Sequence, residues 1–200
     1  MKNKTMMLAS SNAGKLIEMQ ALLAGTSFHL VTPKLMGIEL DVEEDGLTYA
    51  ENALKKARAY AAASGLLVIA DDSGLEVDAL DGQPGLHSAR FSPIAGASDA
   101  DRRAYLLTKL AGIARPWRAQ FRCVIAVASP DGEVFTTEGI CQGEILPEER
   151  GQQGFGYDPI FFLPDLGKTM AEMSMEEKNT LSHRARAVLA AIPRMERMGE

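Results

Sequence analysis

Leu66-Leu67-Val68-Ile69-Ala70 is an unbroken apolar run that ends on two adjacent carboxylates, Asp71 and Asp72. A strand with one solvated face alternates apolar and polar residues, whereas a strand apolar throughout needs cover on both faces. The run therefore predicts a central strand in a layered α/β sheet with helices packed against it. Its acids fall where open α/β sheets bind ligands, beyond the carboxyl end of a strand. Neighbouring carboxylates repel unless a cation lies between them or one holds a proton. The pair points to a hard divalent cation such as Mg²⁺, which prefers carboxylate and phosphate oxygens. The competing reading is an Asx turn with one exposed carboxylate.

The rest of the chain supports the same fold class. Thr5 to Ala9 reads as a short buried strand. A Ser/Asn/Gly turn follows, then a helix from about Lys15 to Ala24 with Leu16, Met19, Leu22 and Leu23 on one face. Phe28 to Val31 is a second strand, completing a βαβ opening. An acidic loop, Glu39 to Asp45, leads through Gly46 to an Ala-rich helix from about Tyr49 to Ser64, closed by Gly65. Leu75 to Leu80 alternates with acids and extends the sheet. Asp81 to Gly85 is a turn, and Ser98 or Asp99 caps a helix to Leu110. Phe121 to Ala128 and Glu133 to Ile140 flank Pro130-Asp131-Gly132, a hairpin signal. Ile160 to Leu163 is a further strand, and two helices end the chain, roughly Met170 to Lys178 and Ser182 to Met195.

Composition narrows the partners. Two hundred residues suit a single domain, 1–200, with room for two lobes around a cleft. A net charge of −6 argues against nucleic-acid binding, which needs a basic surface to displace counterions. A small polyanion needs only a local cationic pocket and a metal ion. Cys123 and Cys141 read as buried thiols of a reducing compartment, or as a pair facing each other on adjacent strands. No apolar run reaches transmembrane length and the N-terminus lacks a secretory pattern, so no membrane association and a cytoplasmic location are expected.

Four further features carry chemistry. Ser10-x-Asn12-x-x-Lys15 places donors and a cation at a strand-to-helix turn, where the helix dipole favours anions. The plain alternative is a helix cap followed by a solvated lysine. Glu43, Glu44 and Asp45 lie on a loop that can bring a carboxylate to the same cation, and Lys55 or Lys56 can face metal-bound phosphates. Gly154-Phe155-Gly156-Tyr157-Asp158-Pro159 sets an aromatic ring between two glycines, a backbone able to hold a stacking face. Asp158 can accept from a ring N–H, although a core position for Phe155 is the competing reading. Ser182-His183-Arg184, at a helix start, offers donors for a base edge, or simply a polar terminus. His29 and His87 have no partner motif.

In this order, these stretches resemble the inosine triphosphate pyrophosphatase family. The match also includes Glu51-Asn52-Ala53 with Lys56-Ala57-Arg58, Pro84-Gly85 with Ser88-Ala89-Arg90, and Glu177-Lys178. The resemblance implies an elongated mixed α/β sheet flanked by helices, with two lobes and the active-site cleft between them, usually as a homodimer. It implies Mg²⁺-dependent hydrolysis of deaminated purine nucleoside triphosphates (inosine, deoxyinosine, xanthosine) to the monophosphate and pyrophosphate. Ser10, Ser11, Asn12, Ala13, Gly14, Lys15 and Lys56 would bind phosphates. Asp72 would hold or activate a metal-bound water, aided by Glu44 or Glu43. Ser73, Phe155, Gly156, Tyr157, Asp158, Lys178, His183 and Arg184 complete the substrate contacts. Ser11 stands where relatives usually have glycine, so a positive φ there would be strained. A nucleotide sensor without turnover, or a pyrophosphatase for modified pyrimidine nucleotides, are the alternatives.

Overall fold

The computed structural model describes residues 4–198. Its strands are β1 (Lys4–Leu8), β2 (Phe28–Val31), β3 (Leu67–Val77), β4 (Trp117–Ala128), β5 (Val134–Ile145), β6 (Phe161–Leu163) and β7 (Lys168–Thr169). They form one sheet in the order β2-β1-β3-β4-β5-β6-β7. The sheet is mixed: β1 runs parallel to β2 and β3, while β6 runs antiparallel to β5 and β7. The helices are α1 (Ala13–Leu22), α2 (Tyr49–Ser64), α3 (Asp99–Leu110), α4 (Met175–Leu181) and α5 (His183–Met198).

The chain divides into two compact units. The first holds residues up to Asp72, Cys123–Gly139 and the chain from Arg184 on; the second holds Ser73–Arg122 and Ile140–His183. Each has its own core. In the first, Met6, Leu8, Ile69, Ile125 and Val127 of the strands meet Met19 and Leu22 of α1 and Val188, Ala191 and Met195 of α5. In the second, Leu75, Val77, Trp117, Phe121, Ile145 and Phe161 meet Leu106 and Leu110 of α3. Cys123 and Cys141 are free, buried thiols, one in each core. Burial pushes the Cys123 thiol up to about 12, which removes it as a nucleophile at neutral pH.

The local signals explain most boundaries. Thr48 Oγ1 accepts from Glu51 N–H to start α2, and Gly65 ends it in the left-handed region at φ +68°. Ser98 and Asp101 form a reciprocal capping box on α3. Two expectations change. The strand carrying the acids does not stop at Ala70: it runs through Asp71 to Gly74 and on to Val77, because Leu75 and Val77 are fully buried in the second core. The acids are therefore mid-strand. The helix predicted from Met170 is two pieces, because Thr169–Glu172 and Ser174–Glu177 each make a capping box. Among the described residues, no helix is long and apolar enough to cross a membrane.

Ile69 has no exposure and packs in the first core. Ile69→Ala is expected to lower stability by about 2–5 kcal/mol. Urea denaturation should show this as a lower midpoint with an unchanged slope.

Candidate active site

Side chains alternate across a strand, so Asp71 and Asp72 meet different partners. Asp71 is buried against Lys15 Nζ of α1 at 2.9 Å and Arg184 Nη2 of α5 at 3.1 Å. The Arg184 guanidinium also pairs with Glu18 of α1. Burial alone would raise the Asp71 pKa, but Lys15, Arg184 and Lys56 outweigh it and hold the carboxyl far below its ordinary value. Asp71 is thus a permanent anion that ties α1, β3 and α5 together, and it is too weak a base to take a proton at neutral pH.

Asp72 meets α2 instead. Its Oδ2 accepts from Asn52 Nδ2 at 3.0 Å. Burial pushes its pKa above the ordinary value; Lys56 and Asn52 offset this in part, while the charge of Glu44 adds to it. A carboxylate shifted toward neutrality is a better general base than an ordinary one.

Helix geometry separates the two lysines of α2. Asn52 and Lys56 lie one turn apart on the buried face of α2, while Lys55 is exposed. Lys56 Nζ donates to Glu44 Oε1 at 2.9 Å and to the Asp71 carbonyl at 2.7 Å. Lys55 pairs with Asp45, and Gly46 N–H donates to Asn52 Oδ1 at 2.8 Å, so the acidic loop is laced along α2. A β-carbon on Gly46 would lie 2.6 Å from that oxygen. Asn52 therefore holds both the loop and Asp72. It lay within the Glu-Asn-Ala stretch of the sequence, and its polar side chain on an Ala-rich buried helix face was the signal for a role. Glu43 is exposed. Among the described residues no three metal-ligating side chains cluster. Mg²⁺ needs no such cage, since it binds through one or two carboxylates with waters and phosphate oxygens. Two mutually repelling carboxylates, Asp72 and Glu44, fit that demand.

At the first turn, Asn12 caps α1 by accepting from Lys15 N–H at 3.0 Å, and Ser10 Oγ accepts from Asn12 N–H at 3.2 Å. The plain cap is therefore real. It still leaves the Ala13 and Gly14 N–H groups without intrahelical acceptors, as any helix start does. Lys15 is a paired rather than a solvated cation. Among the described residues Asp81 alone, apart from glycines, has positive φ, so the strain anticipated at Ser11 does not arise.

The second unit holds the aromatic loop. Gly154 sits at φ +77°, and a β-carbon there would lie 2.1 Å from Asp158 Oδ2. That buried oxygen accepts from Phe155 N–H at 3.0 Å and from Lys178 Nζ at 2.6 Å. Lys178 Nζ also lies 5.4 Å from the centre of the half-buried Phe155 ring. Gly156 N–H donates to Asp99 Oδ2 at 2.7 Å, and its carbonyl accepts from Arg103 Nη1 at 2.8 Å. Neither Asp99 nor Arg103 was predicted, because no sequence signal links α3 to this loop. Tyr157 OH donates to the Ser88 carbonyl at 2.9 Å, and burial keeps the phenol protonated. His183 is buried, stacked on Phe121 at 4.6 Å and 14°. Ser73, the first residue of this unit, is half-buried on β3. Arg184, expected to donate to a base edge, has its guanidinium on Asp71 and Glu18.

The two acids should respond to mutation in opposite ways. Asp71 has a lowered folded pKa, so its stabilisation is complete above its unfolded value and is lost as pH falls toward the folded one. Wild type should therefore lose stability below about pH 5 more steeply than Asp71→Asn. At neutral pH Asp71→Asn leaves buried cations uncompensated and should cost about 3–5 kcal/mol. Asp72 has a raised folded pKa, so its ionised form is a burden at neutral pH; Asp72→Asn should keep or raise the unfolding midpoint of the metal-free protein. Denaturation midpoints across pH check both.

The model of the Ham1 family matches residues 6–194 of this chain. The chain is 50% identical over 196 residues to the dITP/XTP pyrophosphatase of Nostoc sp. (strain PCC 7120), covering 98% of this chain and 96% of that one. It is 46% identical over 194 residues to that of Desulforamulus reducens, with 96% of both chains covered. The solved structure of the Staphylococcus aureus Ham1 protein superposes with a TM-score of 0.83 at 42% identity, covering 96% of this chain and 98% of that one. A HAM1 protein from Coxiella burnetii gives 0.86 at 38% identity, with 97% and 99% covered. By sequence along nearly its whole length and by fold, the chain belongs to the Ham1 family.

Proposed function

We propose that this protein hydrolyses deaminated purine nucleoside triphosphates, those of inosine, deoxyinosine and xanthosine, to the monophosphate and pyrophosphate. The observation that carries the reading is the setting of Asp72: a buried carboxylate held by Asn52 at 3.0 Å, with Glu44 and Lys56, themselves paired at 2.9 Å, beside it. A protein that only bound nucleotides would have no use for a poised base. Relatives named dITP/XTP pyrophosphatase, at 46–50% identity over nearly the full chain, support the substrate class.

In this reading Asp72 orients the attacking water and accepts its proton. Asp72, with Glu44 or Glu43 of the acidic loop, would hold Mg²⁺. The bound ion supplies charge screening at the phosphates and acidifies water. The Ala13 and Gly14 N–H groups, the Ser10 and Ser11 hydroxyls and the Asn12 amide receive phosphate oxygens. Lys15 and Lys56 stabilise charge on the departing pyrophosphate. Phe155 supplies the stacking face for the base; base stacking on an aromatic contributes about 1–3 kcal/mol. Gly156 and Tyr157 shape the loop around it, and Asp158 holds Lys178 at its edge. Lys178 and His183 give donors for the carbonyl at the six position of hypoxanthine or xanthine. Adenine has an amino group there and would leave such donors unpaired, at about 1–3 kcal/mol each. The proposal includes a cytoplasmic location, with the nucleotide pool, and a homodimer, which sedimentation equilibrium checks.

The test is to incubate the protein with Mg²⁺ and the triphosphates of inosine, xanthosine, adenosine, guanosine and thymidine, assaying pyrophosphate and orthophosphate separately. Pyrophosphate from inosine and xanthosine is expected. Orthophosphate as first product, or equal rates on all five, contradicts the reading. Asp72→Asn should lower kcat by about 10²–10⁴-fold, the scale of general acid–base catalysis.

A further inference from the structure

We infer that Asp99 and Arg103 are positioning residues that set base selectivity by fixing Phe155 through both polar groups of the Gly156 peptide backbone. The inference rests on the reading of Phe155 as the base platform.

The loop that carries Phe155 has little stiffness of its own. Gly154 and Gly156 flank the ring and both have positive φ, at +77° and +61°. Glycine loses more backbone freedom on ordering than any other residue. Donors at the edge of a stacked base can discriminate only if the ring beneath it is held to within about 0.5 Å. On the N-terminal side of the ring, Asp158 Oδ2 takes the Phe155 N–H. On the C-terminal side the restraint comes from a helix more than fifty positions earlier in the chain: Asp99 Oδ2 takes the Gly156 N–H, and Arg103 Nη1 gives to the Gly156 carbonyl. Asp99 and Arg103 are four residues apart on α3, so they project from one face and close on one residue from both sides.

Each arm of the clamp is braced. The Arg103 guanidinium forms a two-point fork on Glu149, with Nε to Oε1 at 2.8 Å and Nη2 to Oε2 at 3.0 Å. Asp99 pairs with Arg102, itself anchored on the Ala97 carbonyl at 2.6 Å. Burial works against ionisation of Asp99, but the Gly156 N–H and Arg102 outweigh it and lower its pKa, so the carboxylate acts only as an acceptor at neutral pH. Nothing lies within 4 Å of a β-carbon built on Gly156, so this stretch of backbone is held by the two hydrogen bonds rather than by packing against that position. The side chains of Asp99 and Glu149 are 38% and 48% exposed, and ion pairs at such exposure add little to folding stability. What the clamp controls is the placement of the ring.

The experiment measures kcat/KM for inosine, guanosine and adenosine triphosphates in wild type, Asp99→Ala, Arg103→Met and Asp99→Asn, with unfolding midpoints in parallel. In Asp99→Ala and Arg103→Met the preference for inosine over guanosine should fall about 10-fold or more, mostly through a higher KM for inosine triphosphate, the scale on which a misplaced positioning contact acts. Asp99→Asn keeps an acceptor for the Gly156 N–H and should retain most of the preference. If wild type prefers inosine and both disruptive variants keep its ratio, the clamp is overturned while the proposed function stands. If wild type does not hydrolyse inosine triphosphate, the proposed function falls and takes the clamp with it. If neither disruptive variant folds, the residues are structural and the inference is overturned.

Discussion

Asp71 has a side chain with no exposure to water and lies on Lys15 and Arg184, cations from opposite ends of the chain. Arg184 in turn is shared with Glu18. A lone buried carboxylate would cost many kcal/mol or would protonate, so this arrangement exists only while all its members are in place. It ties α1, β3 and α5 together, with Arg184 lying 113 residues from Asp71 and 166 from Glu18 in sequence. It also gives the neighbouring Asp72 its character. With the cations around Asp71 committed, Asp72 keeps Asn52 and Lys56 against burial and the charge of Glu44, and its pKa moves the other way. Surroundings thus push two neighbouring titratable groups apart.

The second unit solves a different problem with similar means. A loop of two positive-φ glycines is shaped by close approach, as the Gly154–Asp158 contact shows, and then immobilised by side chains. Asp158, Lys178, Asp99, Arg103 and the Ser88 carbonyl each take one group of the stretch from Phe155 to Asp158. Polar residues that are surface charges by composition thereby act as struts for one aromatic ring.

Much of this was legible in the residues. The limits of α2, with Gly65 as its left-handed cap, follow from propensity and cap chemistry alone. The apolar run before Asp71 does mark a central strand. Its length was not legible, since Asp-Asp-Ser-Gly is poor strand sequence and only the second core makes the ladder continue. That Lys56 rather than Lys55 is on the buried face was legible in its helical spacing from Asn52, one turn away. The Arg184–Asp71 pair was hidden for another reason: in sequence Arg184 belongs to a Ser-His-Arg triplet, and only the fold separates His183, stacked on Phe121, from the arginine beside it. Asp99 and Arg103 were hidden likewise, reading as ordinary acidic and basic positions in the first turns of a helix.

Asp71 and Asp72, adjacent on one strand, are shifted in opposite directions by their surroundings. The most direct measurement is an NMR titration of the metal-free protein carrying ¹³C at the aspartate carboxyl carbons, with each signal assigned by its loss in the Asn variant. The Asp71 signal should remain that of an ionised carboxylate down to the acid limit of folding, and the Asp72 signal should titrate above the ordinary aspartate value. Coincident titrations, or Asp72 titrating below Asp71, would contradict it.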